Sequence, residues 1–493
     1  MLVNVRESCT LCSTLRDWWE FYQPMSTYVS ILYMTSHNDC RLTRCDVGQG
    51  ISVDKLPDDV LLEIFDFYVV TQEEILVEVW RTLVHVCRRW RNLVFGSPRR
   101  LKLRLFCTNR TPTRNFLDVW PALPLIICCH ISRSVVDNIV AALERRDRVR
   151  KIDLKYYANP EAEKVWAAMQ EPLLELTHLW LEARDEVSGE GRAEDAEWFE
   201  RPFPHNVPDS FLGGSAPRLQ FLYMNAVGLL GLQKLLLSAT HLIDLQLDDI
   251  PDYISSQRMI TCLSALTSLQ TLSLVFDHHI YPLYQGSRSP SSPKHTFLPA
   301  LKDFQFTGVS RYLEDLVAGI EAPELNKMSI TLSITFSSGH VSDTPELTRF
   351  ISRTPKLGVP FEARITLHEI AFRVSLPSQT FGHGLFDLGI ASGDFRYLPT
   401  SSELDSQLSS LVRFCASSLP SVSTVENLYI HGEISGILDW HLDKDIENTQ
   451  WLELLCPFIA LKNLYLFEEF TPCIASALED LNESSITELL PSL

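Results

Sequence analysis

Leu242-Ile243-Asp244-Leu245-Gln246-Leu247 and, one step further along, Leu269-Gln270-Thr271-Leu272-Ser273-Leu274 share one pattern: an apolar residue, two positions of any kind, then two apolar residues separated by one. In an extended chain successive side chains point to opposite faces, so the last two apolar residues share a face and the residue between them points away. The spacing recurs at Val149, Ile152, Leu154; Leu176, Leu179, Leu181; Leu219, Leu222, Met224; Leu301, Phe304, Phe306; and Leu325, Met328, Ile330. Later copies stand at Leu385, Leu388, Ile390; Val425, Leu428, Ile430; and Leu461, Leu464, Leu466. From Ile152 to Met328 the middle positions advance by 27, 43, 23, 27, 32 and 24 residues.

Several of these steps fall in the length range of leucine-rich repeats, and the longer ones require insertions. Such units cannot bury an apolar face singly, so neighbours must stack, which predicts an α/β fold: an irregular leucine-rich-repeat solenoid over residues 149–493, with a curved parallel sheet and covering helices. Leu229 to Ser238 and Tyr312 to Ile320 read as two of those helices. In regular arrays an asparagine or cysteine at a fixed offset satisfies backbone groups in the turn. Here that offset holds Val227, Ile250, Asp277, Val309 and Glu433, so no asparagine ladder forms and irregular loops are expected. The pattern is weakest over 331–424. Residues 106–148 read as a connector or a first capping strand. Outward strand positions such as Tyr223, Gln246, Ser273, Gln305 and Tyr465 are too mixed to select a ligand class.

Upstream the period changes. Leu56-Pro57-Asp58-Asp59 places a proline and two acids at a helix start, followed by Leu61, Ile64, Phe65 and Tyr68 at helical spacing. A second run sets Val79, Leu83, Val86, Trp90 and Leu93 at steps of four and three until Gly96, Ser97 and Pro98 stop it. So small a helical module buries little apolar surface alone and should dock on something. Residues 1–51 show no sustained period and read as a poorly ordered leader. Their four cysteines, Cys9, Cys12, Cys40 and Cys45, include one C-x-x-C pair, but the second pair is wider and neither encloses a glycine, which disfavours a zinc site.

Composition narrows the function. Hydrophobic residues at 45% and charged residues at 21% suit a folded chain of 493 residues. The charge-free apolar stretch Val119 to Ser132 contains Pro121 and Pro124 and falls short of the roughly 20 residues of a membrane span. The first thirty residues mix Arg6, Arg16, Asp17 and Glu20 and lack a secretory pattern, so a cytoplasmic or nuclear location is expected. Twelve scattered cysteines are too sparse for a disulfide scaffold. The net charge of −19 disfavours nucleic acid as a partner of the whole surface, although seven cations and no acid lie between Arg88 and Arg104. That run reads as a solvated face or a dock for acidic partners. Glu182 to Glu200 reads as an acidic surface loop inside the longest step, and Gly286 to Pro293 as a linker. There is no phosphate-cradling glycine loop and no nucleophile elbow, and the Asp277-His278-His279 triplet reads as a loop after a strand, so no enzyme is expected.

The helical stretch resembles F-box proteins, most closely the large set of fungal F-box proteins with degenerate leucine-rich repeats. The matching residues are Leu56-Pro57-x-x-Val60-Leu61-Leu62-x-Ile64-Phe65, then Trp80-Arg81-x-Leu83-Val84-x-Val86-Cys87-Arg88-Arg89-Trp90-Arg91-x-Leu93, with Gly96-Ser97-Pro98-Arg99-Arg100-Leu101 and Trp120-Pro121-x-Leu123-Pro124-Leu125 beyond. The stretch from Phe67 to Val79 is longer than in a typical member. The resemblance implies a three-helix F-box module over 52–105 that binds a Skp-type adaptor and through it a cullin, with no cofactor. The residues expected at the adaptor are Leu56, Pro57, Leu61, Ile64, Val86, Cys87 and Trp90. The array would then hold a protein target for ubiquitin transfer; the alternative is a protein-binding repeat scaffold unconnected with ubiquitin.

Overall fold

The computed structural model describes residues 55–70, 80–110, 113–157, 159–183, 208–228, 231–250, 254–276, 295–334, 344–367, 371–377, 385–392, 401–417, 419–432, 448–467 and 471–479. The leader over 1–51, the acidic stretch beyond Ala183, the Asp277-His278-His279 triplet and the Gly286 to Pro293 segment lie outside them. The chain forms two compact units, residues 1–64 and 65–493. Of the first, only residues 55–64 are described, ending within a helix that continues into the second.

That helix is α1 (Asp58–Val70), and α2 (Trp80–Val86) and α3 (Arg88–Gly96) follow. Then come β1 (Leu105–Cys107), α4 (Thr113–Val119), β2 (Leu125–His130), α5 (Val136–Leu143), β3 (Val149–Tyr156), α6 (Pro160–Ala168), β4 (His178–Ala183) and β5 (Phe221–Asn225). The middle of the chain supplies α7 (Leu232–Ser238), β6 (Asp244–Ile250), α8 (Ser256–Leu263), β7 (Thr271–Phe276), β8 (Thr296–Phe297), β9 (Asp303–Gly308), α9 (Ser310–Val317), β10 (Ile320–Glu321) and β11 (Lys327–Ile334). The last part adds α10 (Pro345–Ser352), β12 (Glu362–Leu367), β13 (Ala371–Pro377), β14 (Leu385–Ser392), α11 (Ser401–Ser417), β15 (Asn427–Gly432), α12 (Asn448–Leu455), β16 (Asn463–Leu466) and α13 (Thr471–Glu479).

The fold is α/β, built on one long sheet. Among the described residues fourteen strands run in the order β1-β2-β3-β4-β5-β6-β7-β9-β11-β14-β13-β12-β15-β16, all neighbours parallel except where β13 meets β12 and β14. The second and third residues of the triads predicted by spacing lie on these strands in register, with Ile152, Leu179, Leu222, Leu245, Leu272, Phe304 and Met328 facing one another in series. All seven are fully buried. One sheet face is therefore a continuous apolar layer. The helices, whose buried residues include Ile139, Val165, Leu235, Met259, Leu313 and Phe350, form the second layer of the core. Most successive helices touch, as α4 with α5, α5 with α6, α7 with α8, α8 with α9 and α9 with α10. Glu314 of α9 fastens one such contact: its carboxylate accepts the backbone N–H groups of Glu346 and Leu347 at 2.9 and 2.8 Å, satisfying free donors in the first turn of α10.

Three features depart from a uniform repeat. The sheet begins ahead of the first triad, since β1 and β2 occupy the stretch read as connector or capping strand. The 43-residue step closes through a 3-10 turn, Phe211–Gly214, that packs on α7 and sets Phe211 beside Trp166. In that turn Leu212 N–H donates to the Met169 carbonyl at 2.7 Å. Finally, the stretch read as least legible contains two strands that the triad pattern did not mark. After β11 the chain passes over two strand positions to β12, returns as antiparallel β13, and only then lays β14 beside β11. The expected chain-order stacking therefore holds as far as β11 and is rearranged beyond it. At Val227, Ile250 and Val309, where a regular array carries a polar turn residue, the side chains are buried among apolar ones.

The second helical run is two helices. Cys87 adopts an extended conformation between them and caps α3, its thiol sulfur accepting the Trp90 N–H at 3.5 Å. Arg91 ties them together again, Nε donating to the Val84 carbonyl at 3.0 Å. The seat for this pair is Trp120. Its ring meets Trp80 at 5.1 Å, Phe95 at 6.1 Å and His85 at 6.1 Å, while the Trp80 indole N–H donates to the Arg104 carbonyl at 3.1 Å. One aromatic cluster thus packs α2 and α3 on Trp120.

Candidate functional site

Two surfaces hold the residues singled out by sequence. On the helices, Pro57 accepts the first helical hydrogen bond of α1 from Leu61 N–H at 3.1 Å, and Asp58 and Asp59 sit in the first turn, where the helix dipole favours acids. Pro57 is exposed and Leu56 half-buried. Ile64 keeps 48% of its area exposed and Val86 keeps 58%. Cys87 is half-buried and occupied by its capping bond. Trp90 is half-buried, its ring 4.7 Å from Phe65, and Leu61 is buried at 1% exposure. Within the folded chain, then, Leu61 and Trp90 are packing residues, while Pro57, Ile64 and Val86 are available at the surface.

Sequence reasoning passed over a neighbour of these. Phe67 lies on α1 one helical turn after Ile64 and is 73% exposed. Val60, Ile64, Phe67 and Tyr68 follow the i, i+4, i+7, i+8 spacing, so one side of α1 carries a run of exposed apolar groups. Periodicity alone could not have found it, because an apolar stripe looks the same whether the chain or a partner covers it. Of the basic run, Arg91 is spent on the Val84 carbonyl, and Leu101 and Leu103 are buried, so this stretch alternates charge with core.

The second surface is the sheet face opposite the apolar layer. Register places Asp153, Trp180, Tyr223, Gln246, Ser273, Gln305 and Ser329 in one row across seven strands. Trp180 and Tyr223 stack at 3.7 Å with 21° between their planes. On one side of this row Glu182, Asn225 and Asp248 align, and on the other His178, Phe221 and Asp244. Lys155 pairs with Glu182 at 3.1 Å. Asp244 accepts two hydrogen bonds from the Gln246 amide, at 3.0 and 3.1 Å. Burial pushes the carboxyls of Asp244 and Asp248 above the usual range, opposed for Asp248 by hydrogen bonds from Tyr223 and Ser273. Burial likewise raises the Tyr223 phenol, with Asp248 adding to the effect. Farther along, Tyr429 and Tyr465 stack at 4.4 Å with the Arg364 guanidinium 5.7 Å above the Tyr429 ring.

No arrangement among the described residues gathers three or more metal-ligating side chains. Burial raises the thiols of Cys262 and Cys415 to about 11 and about 12, leaving them protonated and unreactive at neutral pH. No helix among the described residues is long and apolar enough to cross a membrane. No family model matches the chain, and no curated protein matches its sequence.

Proposed function

We propose that the chain is the substrate-recognition subunit of a Skp, cullin and F-box type ubiquitin ligase: α1 to α3 form the F-box module that binds the adaptor, and the sheet with its helices is a degenerate leucine-rich-repeat solenoid that holds a protein target. The observation that carries this reading is the exposure of Pro57, Ile64 and Val86, apolar residues within the matching motif that the chain leaves uncovered. An exposed apolar run on a short helical module is what an obligate partner would cover. The receptor performs no bond chemistry. It raises the effective concentration of a target lysine at a conjugating enzyme that other subunits bring.

The test is a pull-down from a reconstituted mixture containing a Skp-type adaptor, comparing wild type with Leu56→Ala/Pro57→Ala, folding being checked by circular dichroism. Capture of wild type alone supports the ligase reading. No capture of either leaves the array as a protein-binding scaffold.

A further inference from the structure

Strands β4, β5 and β6 carry no lysine or arginine anywhere along their length, yet their open face holds Glu182, Asp244 and Asp248 around the stacked Trp180 and Tyr223. Glu182 is neutralised by Lys155. Asp244 and Asp248 are not: among the described residues neither has an ion-pair partner, and both accept hydrogen bonds only from neutral groups. They are half-buried in a place where burial disfavours their charge, an arrangement that costs stability.

A partner that relieves this must bring positive charge and a flat face. Guanidinium does both, since it donates two parallel hydrogen bonds to a carboxylate and lies over aromatic rings. We propose that the open face of β4 to β6 binds an arginine-bearing basic segment of the target protein, with Asp244 and Asp248 receiving guanidinium N–H groups and Trp180 and Tyr223 supplying the aromatic floor. Charge complementarity argues for this occupant. An acidic segment would meet unpaired carboxylates, and a neutral apolar one would bury them without a partner.

The inference rests on the reading of the array as the target-holding part, but its test contains no adaptor, so each can fail while the other stands. The probe is a fluorescein-labelled heptapeptide with three central arginines flanked by glycine and serine, titrated by anisotropy against the full chain. A citrulline version keeps the shape and removes the charge. Two double variants each lose two negative charges: Asp244→Asn/Asp248→Asn on the sheet face, and Glu144→Gln/Glu163→Gln at exposed positions, the first at the C-cap of α5 and the second on α6. Expected results are binding of the arginine peptide, loss with citrulline, at least about tenfold weakening in the first variant, and no more than about twofold in the second, given the strength of charge-assisted hydrogen bonds. Equal weakening in both variants would mean attraction by bulk charge, and no weakening in the first would remove the face from binding; either result overturns the proposal, as does absence of peptide binding.

Discussion

Replacing Pro57, Ile64 and Val86 together by alanine tests the adaptor surface without entering the core. Ile64 and Val86 leave 48% and 58% of their area exposed. Burying an aliphatic side chain completely is worth about 1.5–3 kcal/mol, so the uncovered half of Ile64 has about 1 kcal/mol still to give to a partner, and the smaller Val86 a little less. With the exposed Pro57 the three should contribute about 2 kcal/mol, roughly a thirtyfold change in affinity. Folding does not draw on that area, so the thermal midpoint should move by no more than about 1–2 °C. Leu61→Ala is the contrast, because at 1% exposure it leaves a cavity worth about 2–5 kcal/mol of stability. Isothermal titration against a purified Skp-type adaptor, paired with thermal melts, reads both quantities. Wild-type affinity in the triple variant would refute the assignment of the surface, and a midpoint lowered by several degrees would show that these residues belong to the core.

Trp120→Ala should release α2 and α3 at a cost of about 2–4 kcal/mol, seen as new protease cleavage between residues 80 and 96 while the far-ultraviolet dichroism of the sheet persists. Gly213→Ala should lower the thermal midpoint, since the residue sits at φ +59° and an added Cβ would lie 2.6 Å from Pro172 Cγ; an unchanged melt would contradict the geometry of that turn. Asp244→Asn/Asp248→Asn should raise the melting temperature at pH 7. Both native carboxyls titrate above their unfolded value, so their penalty is fully present above the folded pKa and fades as pH falls through it toward the unfolded one; the gain should shrink as pH approaches about 4. A gain independent of pH would assign it to something other than charge.

The regular part of the sheet was legible because the apolar triad is a local signal with one physical cause, burial of alternate side chains on a strand covered on one face. Every middle position from Ile152 to Leu464 lies on a strand. What the triad does not encode is which strand lies beside which. Pro360, Ala363 and Ile365 repeat the spacing at β12 with a proline and an alanine in place of leucines, and Phe372, Val374 and Leu376 alternate at β13 without the leading apolar residue. Both signals are weaker than in the copies that were recognised, and neither announces a reversal of direction. On the helices, the sequence could not separate the exposed Pro57, Ile64 and Val86 from Leu61 and Trp90, which pack inside the chain, because apolar residues at helical spacing look alike whether covered or not. The unpaired state of Asp244 and Asp248 depends on register with β5 and β7, which a single strand's sequence does not hold.

The out-of-order strands also shape how the molecule should come apart. Up to β11 each strand of the long sheet joins the strand of that sheet laid down before it, so that region can lose or gain ends one strand and helix at a time, like a stack of cards. Beyond it, β11 must wait for β14, and β12 for β15, before either pairing closes. Those strands can form only together, which makes the last third of the sheet a cooperative block with slow, long-range closure and sets a latch between it and the fraying stack. Deleting one strand with its following helix should therefore be tolerated ahead of β9 and ruinous after β11.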